Sequence, residues 1–258
     1  MVAALALGVS FLVAAAAWRA GALTRNGAVA AALVGAPMLF GTGWRGAAML
    51  AAFFVPSILV GRIAMAHGKA ADPESEQRNA RQVLANGAAA AAGALAERQA
   101  PGLGLWIACG ALSAAAADTW ATSIGAFSGT DPRHLLNRRR VPKGTSGGVS
   151  LLGTLAALAG AATVAVTGAL SGGGVPLLFA GTSIGFGGML LDSLLGASLQ
   201  GRFECPLCRV ATERRRHRCG TPARLVGGWR WLDNDGVNAL ATLLAALAAT
   251  GAWWAYTR

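Results

Sequence analysis

Charged residues are scarce in this chain: they make up 13% of its 258 residues, whereas soluble domains carry about 25%. With 54% hydrophobic residues and a mean hydropathy of +0.50, the composition excludes a disordered chain, a coiled coil, a collagen and an ordinary water-soluble enzyme. Cysteine is scarce too, and one of the four, Cys109, lies in an apolar stretch, so no dense disulfide framework is possible. The sequence therefore predicts an integral membrane protein.

Acidic residues are half as frequent as basic ones, 11 against 22, which gives a net charge of +11. Such a charge is compatible with nucleic-acid binding. In a chain this apolar, however, basic cytoplasmic loops that face anionic lipid headgroups explain it better. We therefore expect a membrane partner and no nucleic acid.

Eight stretches are long and apolar enough to be membrane helices. They are Met1 to Trp18, Ala28 to Gly43, Gly46 to Gly61, Val83 to Ala96, Gly102 to Phe127, Val149 to Leu170, Val175 to Leu199 and Gly236 to Tyr256. Their many small residues allow close helix packing. The predicted fold is an all-α, polytopic transmembrane bundle forming a single domain (1–258), with a small cytoplasmic, cysteine-containing loop (200–235).

The basic residues alternate between the predicted loops: the odd-numbered loops hold 19 of the 22. The positive-inside rule then places the odd loops in the cytoplasm and both termini outside. This charge distribution predicts a protein of the bacterial-type inner membrane with its polar loops on the cytoplasmic side.

Two carboxylates, Asp118 and Asp192, lie inside predicted spans, where a charge costs several kcal/mol. Both spans start outside, so a rise of 1.5 Å per residue puts both side chains roughly 24 to 26 Å deep, near the cytoplasmic face. Asn86 and Asn238 enter the membrane from the same face. A functional pair is one interpretation. The alternative is that each aspartate pairs with an arginine or caps a helix.

The segment VPKGTSGGVS (Val141 to Ser150) has the composition of an anion-binding turn. Lys143 supplies a charge, and the amides of Gly144, Gly147 and Gly148 could point at a phosphate next to a helix N-terminus. The P-loop spacing is absent, so this is not a Walker A site. Flexible turns use the same residues, and such a turn is the alternative.

Two further polar segments flank predicted spans. WLDNDGVN (Trp231 to Asn238) brings Asp233 and Asp235 together with two carboxamides, the oxygen ligands that Mg²⁺ prefers, although either aspartate could instead cap the helix. The segment that contains Arg78, Asn79 and Asn86 could bind phosphate, or form a solvated amphipathic helix against headgroups.

Cys205, Cys208, His217 and Cys219 form a C-x2-C pair followed by H-x-C. These residues could supply the four tetrahedral ligands of a structural Zn²⁺, with no position left open for catalysis. Reduced thiols without a metal are the alternative. His67 and His134 have no partner visible in the sequence.

The motifs, taken in order, resemble an integral membrane family that contains the chloroplast phytyl-phosphate kinase of plants and the animal transmembrane protein 19. The matching segments run over nearly the whole chain: GALTRNGAVAAALVG, RNARQVLANG, ADTWATSIG, VPKGTSGGVS, DSLLGASLQ, the cysteine loop and WLDNDGVN. The resemblance implies an enzyme that phosphorylates an isoprenyl monophosphate with a nucleoside triphosphate, CTP being the expected donor. In the family pattern an acidic residue stands where this chain has Ser123.

If the chain catalyses the reaction that the resemblance implies, its polar residues have the following predicted roles. Asp118 and Asp192 are catalytic together with Lys143, and Asp233 and Asp235 join the two aspartates as ligands of Mg²⁺. The residues predicted to bind nucleotide or substrate are Arg78, Asn79, Asn86, Lys143, Gly144, Thr145, Ser146, Gly147, Gly148, Asn234 and Asn238.

Two other functions fit parts of the sequence. A transporter or flippase of phosphorylated lipids would need polar residues in both halves of the membrane, whereas those here crowd one side. A zinc-dependent membrane hydrolase would need an open metal position, which the cysteine-rich set does not offer.

Overall fold

The computed structural model describes residues 2–69 and 77–258. Within these ranges the chain forms eight α-helices: α1 (Val2–Arg19), α2 (Arg25–Thr42), α3 (Trp44–Ala66), α4 (Ala80–Ala94), α5 (Leu103–Gly125), α6 (Leu151–Gly168), α7 (Gly174–Ser198) and α8 (Asn234–Thr257). Each of the eight predicted apolar stretches coincides with one helix to within a few residues. Met1, the first residue of the first predicted span, lies outside the described residues. The prediction of a mostly helical protein is confirmed.

Helix α5 is the centre of the bundle. Every residue from Gly104 to Ala117 is buried, and α5 contacts α3, α4, α6, α7 and α8. Eight of these fourteen buried residues are alanine or glycine, so neighbouring backbones approach closely. A Cβ added at Gly110 would lie 2.7 Å from Ala249 Cβ on α8. Small residues thus let one helix pack against five others.

Helices α6 and α7 form an antiparallel hairpin. The turn between them, Ala169–Gly173, has π-type hydrogen bonds, and Gly172 and Gly174 have φ angles of 109° and 67°, which favour glycine. Beyond the turn, Gly181 packs against Ala165. The apolar stretch from α6 to α7 is therefore two packed helices rather than one long one.

Four segments of the described chain are long and apolar enough to cross a membrane. They are Trp44–Ala66, Leu103–Gly125, Leu151–Ser198 and Asn234–Thr257, and Ala3–Arg19 is a shorter apolar helix. Since Leu151–Ser198 contains both α6 and α7, the hairpin supplies two helices to this set.

Two small antiparallel sheets correct the all-α prediction. In one, β1 (Arg133–His134) pairs with β2 (Gly148–Val149) and closes the loop between α5 and α6. In the other, β3 (Arg202–Glu204) lies between β4 (Ala211–Thr212) and β5 (Arg224–Gly227). Strands of two to four residues are too short to display an alternating pattern in sequence, which is why no strand was predicted.

Candidate functional site

Asp118 on α5 and Asp192 on α7 lie at the same level of the bundle. The glycines of α7 contact α5 in the same order along both helices, so the two helices are parallel. A Cβ added at Gly188 would lie 2.6 Å from Ala114 Cβ. Asp118 follows Ala114 on α5, and Asp192 follows Gly188 on α7, by about one helical turn of 3.6 residues. The two aspartates therefore lie at the same level.

The two carboxyl groups form a hydrogen bond with each other, and Arg78 is a charged neighbour of Asp118. Asp192 Oδ2 is buried and has no hydrogen-bond partner among the described residues. Two ionised carboxylates in contact repel, so this pair must share a proton or bind a cation. An unpartnered carboxylate oxygen beside a second carboxyl group is a suitable ligand set for Mg²⁺.

Arg78 is positioned by a docking of its backbone onto the segment between α1 and α2. Its N–H donates to Ala22 O and its carbonyl accepts from Thr24 N–H, both at 3.1 Å. A Cβ added at Gly27 would lie 2.2 Å from Arg78 O, so this close approach requires glycine. The guanidinium lies over the ring of Phe53 at 5.6 Å. The GALTRNG motif thus fixes the arginine beside Asp118.

Asn79 and Asn86 make hydrogen bonds within their own helix. The Asn79 side chain accepts from Arg81 N–H and Gln82 N–H and forms a capping box with Gln82 at the start of α4. Asn86 is buried, and its Nδ2 donates to Gln82 O at 3.0 Å. These contacts account for Asn79 as a helix cap, and its predicted substrate contact stays a prediction.

Asn238 lies at the start of α8, where its buried Oδ1 has no hydrogen-bond partner among the described residues. One turn further, Thr242 Oγ1 donates to Ala85 O at 2.8 Å, which ties α8 to α4. Asn234, the first residue of α8, is exposed. Asn238, like Asp192, therefore has a buried oxygen that accepts no hydrogen bond from the described residues.

The glycine-rich loop, residues 141–150, packs against the end of α7 next to Asp192. Gly147 has a φ of 76°, and a Cβ there would lie 2.4 Å from Ala197 Cβ and 3.1 Å from Ser193 O. Gly144 also has a positive φ, and Gly148 N–H donates to Thr145 O. The amide of Gly148 is thus used within the loop.

Lys143 lies at the end of α5. Its Nζ donates to the carbonyl oxygens of Ala126 and Ser128. Ala126 is the C-cap of α5 and Ser128 follows it in the chain, so the lysine charge lies at the C-terminal end of the helix, where it complements the helix dipole. The structure thus gives Lys143 a structural contact in addition to its predicted role with phosphate.

Asp233 and Asp235 form a second acidic pair, joined by Arg81. Asp233 caps α8 by accepting from Gly236 N–H at 3.1 Å, and its Oδ2 lies 2.6 Å from Arg81 Nη2. Asp235 Oδ2 lies 3.6 Å from Arg81 Nε. The four carboxylates predicted to surround one Mg²⁺ are therefore arranged as two pairs.

Glu213 is a site residue that the sequence did not predict. Its Oε1 accepts from Ser146 Oγ at 2.5 Å, and its Oε2 accepts from Gln200 Nε2 at 2.8 Å. Gln200 is buried at the end of α7. Glu213 therefore joins the cysteine loop, the glycine-rich loop and α7. These segments are distant in sequence, and no local sequence pattern predicts the contact.

An arginine-rich cavity of about 370 Å³ lies beside Glu213. Its lining residues are Arg81, Phe203, Glu213, Arg214, Arg215, Arg230, Leu232 and Asp233. In sequence these arginines were counted only as cytoplasmic charge. Together they form a surface that attracts anions at the edge of the bundle.

Cys205, Cys208, His217 and Cys219 converge, as their spacing predicted. One ligand atom from each lies within 4.8 Å of those of the other three. In the described chain, this is the only group of three or more His, Cys, Asp or Glu residues close enough to share an ion. Hydrogen bonds with Thr221 and His217 lower the pKa of the Cys219 thiol to about 5, which favours the thiolate form that binds metals.

Comparison with known proteins establishes the family. The profile of the family described as Integral membrane protein DUF92 matches residues 8–246, so the chain belongs to this family. This agrees with the resemblance found in the motifs and confirms that the chain is an integral membrane protein.

Three curated relatives are similar in sequence. The Uncharacterized membrane protein MJ0933 of Methanocaldococcus jannaschii is 30% identical over 68% of this chain and 74% of its own length. The Uncharacterized membrane protein sll0875 of Synechocystis is 31% identical over 81% of this chain and 74% of its own. Protein PGR of Arabidopsis thaliana is 31% identical over 50% of this chain and 48% of its own. No solved structure matches the chain.

Proposed function

We propose that the protein is a membrane-embedded kinase that transfers a phosphoryl group from a nucleoside triphosphate, CTP being the expected donor, to an isoprenyl monophosphate. The observation that carries this proposal is the contact between Asp118 and Asp192, with a buried Asp192 oxygen that has no partner in the described chain. Buried carboxylates inside a membrane bundle are costly, so they indicate a function.

In the proposed reaction, an anionic oxygen of the isoprenyl monophosphate attacks the γ-phosphorus of the nucleoside triphosphate. The bond between the γ-phosphorus and the β–γ bridging oxygen breaks, and the nucleoside diphosphate leaves with that oxygen. The products are an isoprenyl diphosphate and a nucleoside diphosphate. Because the attacking oxygen is already anionic, no strong general base is required, and positioning and charge neutralisation supply the catalysis.

Asp118 and Asp192 are the residues that would hold Mg²⁺, which when bound neutralises phosphate oxygens. Arg78, fixed by its backbone next to Asp118, supplies a positive charge for a phosphate group. The glycine-rich loop bounds the same region, since Gly147 contacts Ser193, the residue after Asp192.

The arginine-rich cavity is proposed to receive the phosphates of the nucleotide. It connects to the carboxylate pair through successive contacts: Glu213 lines the cavity and holds Ser146, and the neighbouring Gly147 packs on α7 beside Asp192. Arginine side chains bind phosphate oxygens with paired N–H donors. The nucleotide would thus bind from the loop side and the lipid from between the helices.

The one-sided placement of these groups favours a kinase over a transporter. Arg78, Asp118, Asp192 and Asp233 lie where α5 and α7 approach their ends and α4 and α8 begin. This face is proposed to be cytoplasmic, with eight spans and both termini outside, because it carries the basic loops. A site at one face suits a reaction at the interface better than carriage of a headgroup across the membrane.

The purified full-length protein in detergent tests this proposal. It is incubated with Mg²⁺, with CTP, ATP or GTP labelled in the γ-phosphate, and with phytyl or geranylgeranyl monophosphate. We expect label in a lipid diphosphate. Absence of labelled lipid with every nucleotide would contradict the kinase. Movement of the lipid phosphate across proteoliposomes in the same preparation would favour the transporter instead.

A further inference from the structure

The segment between α7 and α8 has little means of folding by itself. Its strands β3, β4 and β5 are two to four residues long, and residues 201–233 include few buried side chains, chiefly Phe203, Cys205 and Leu232. Units below about 40 residues usually need a metal, a disulfide or a partner to be stable. Eight arginines in the same segment add mutual repulsion. Something other than an apolar core must stabilise this fold.

The four candidate ligands lie where a metal would provide that stabilisation. Cys205 and Cys208 are at the turn between β3 and β4, and His217 and Cys219 precede β5. Cys205 Sγ lies 3.6 Å from Cys219 Sγ, and Cys219 Sγ lies 3.1 Å from His217 Nδ1. A tetrahedral Zn²⁺ with bonds of about 2.3 Å to sulfur separates two sulfurs by about 3.8 Å. The separation of the Cys205 and Cys219 sulfurs is close to that value. All four cysteines of the chain are free of disulfides.

Backbone hydrogen bonds around the cluster already favour ligation. Cys208 N–H donates to Cys205 Sγ at 3.4 Å, and Arg209, with a φ of 55°, donates its N–H to Cys205 O at 2.8 Å. This tight turn keeps the Cys205 and Cys208 sulfurs within 4.8 Å of each other. Such outer contacts orient metal ligands.

We propose that Cys205, Cys208, His217 and Cys219 bind one structural Zn²⁺, and that this ion fixes Glu213 so that it holds the glycine-rich loop against α7. Three thiolates and one Zn²⁺ carry a net charge of −1, which offsets part of the arginine repulsion. All four positions are filled by protein, so the ion has no place for a substrate.

Glu213 connects the metal to the rest of the molecule. It follows β4 directly, between the two halves of the ligand set, and its carboxylate accepts from Ser146 Oγ and Gln200 Nε2. Loss of the ion would release β4, and with it both hydrogen bonds. The zinc site and the loop are therefore coupled through one side chain, and this coupling does not depend on the proposed kinase activity.

Metal content tests the site directly. The full-length protein, purified in detergent without chelator or added metal, is analysed by inductively coupled plasma mass spectrometry. We expect about one Zn²⁺ per chain, and loss of most of it in Cys208→Ser. Cys109→Ser, which changes a buried cysteine of α5 outside the cluster, is the control and should keep its zinc. Absence of zinc from the parent, or a different metal in its place, would overturn the site, as would an unchanged zinc content in Cys208→Ser.

Hydrogen–deuterium exchange tests the coupling, without reference to activity. We expect faster exchange at residues 144–148 in Glu213→Ala and in the parent after chelation of its zinc. Glu204→Ala is the matched control, because Glu204 is an exposed glutamate of β3 in the same sheet. Unchanged exchange at these residues after zinc removal would refute the coupling.

Discussion

Asp233 has two partners in the structure, and both explain why a carboxylate stands at the start of α8. Its Oδ1 accepts from Gly236 N–H, which satisfies one of the free amides of the first helical turn. Its Oδ2 contacts Arg81 at 2.6 Å, but the Arg81 side chain is 68% exposed. Exposed ion pairs contribute about 0 to 1 kcal/mol to the free energy of unfolding. We therefore expect the cap to contribute more to stability than the ion pair does.

Replacement of Asp233 separates these two contacts. We expect Asp233→Ala to lower the free energy of unfolding by about 1 kcal/mol, because the cap is lost. Asp233→Ser keeps a capping oxygen and should stay closer to the parent. Asp235→Ala, which removes a carboxylate without a cap, is the control. Denaturant unfolding in detergent measures the difference, and equal losses in the serine and alanine variants would show that the cap is not what Asp233 contributes.

Asp118 and Asp192 could be predicted from sequence because a charge inside an apolar span is costly, and their depth followed from the helical rise. The choice for Asp233 between a cap and a metal ligand could not be made, since both need the same residue at the same place. Glu213 could not be found at all. Its contact with Ser146 joins two irregular segments 67 residues apart, and neither has a periodic pattern.

The position of the glycine-rich loop depends on its close packing against α7. Gly147 combines a positive φ with a contact that leaves no room for a side chain. The strand pair β1–β2 and the turn that begins at Pro142 hold the loop at its base. The loop thus has a defined conformation, and its position is set by α7, the helix that carries Asp192.

Adding a single methyl group at Gly147 tests the packing of the loop against α7. Gly147→Ala should displace the loop from α7, because its Cβ would lie 2.4 Å from Ala197 Cβ. We expect at least a tenfold loss of lipid-phosphate kinase activity with a smaller effect on thermal stability; tenfold corresponds to about 1.4 kcal/mol. Gly129→Ala, in the same region but with open space around it, is the control and should behave like the parent. Parental activity in Gly147→Ala would contradict a role for the loop.

Helices were predictable and strands were not. The helices appear as apolar runs bounded by glycine or polar residues, and the hairpin of α6 and α7 was expected as two spans separated at residues 171–174. The sheets arise from pairing between segments that only the folded helices bring together, so their two- to four-residue strands leave no signal in the sequence.

The whole bundle has a polar end and an apolar body. Helices α2 and α4 are parallel, since Gly27 approaches Arg78 and Gly41 approaches Ala94. Helices α5 and α7 are also parallel, and α6 is antiparallel to α7. These directions are the ones expected if successive helices cross the membrane in opposite directions. The basic loops lie at the end that carries the carboxylates, which supports the proposed cytoplasmic orientation.

Cysteine labelling tests that orientation. Leu136→Cys and Val175→Cys place exposed thiols at opposite ends of the bundle. In intact cells an impermeant maleimide should label Val175→Cys, and it should label Leu136→Cys only after lysis. The parent protein, which keeps its native cysteines, measures the background. Labelling of Leu136→Cys in intact cells would contradict the eight-span arrangement with outside termini.

The proposed kinase activity depends on Asp118 and Asp192 forming the phosphoryl-transfer site. The most direct measurement is the turnover of purified Asp118→Asn and Asp192→Asn with labelled nucleotide and isoprenyl monophosphate. Asparagine keeps the shape and removes the charge that a metal ligand needs. We predict a loss of turnover of about 10² or more, equal to about 2.7 kcal/mol, with thermal stability retained. Asp131→Asn, an exposed loop aspartate, should match the parent. Parental turnover in both site variants would contradict the claim.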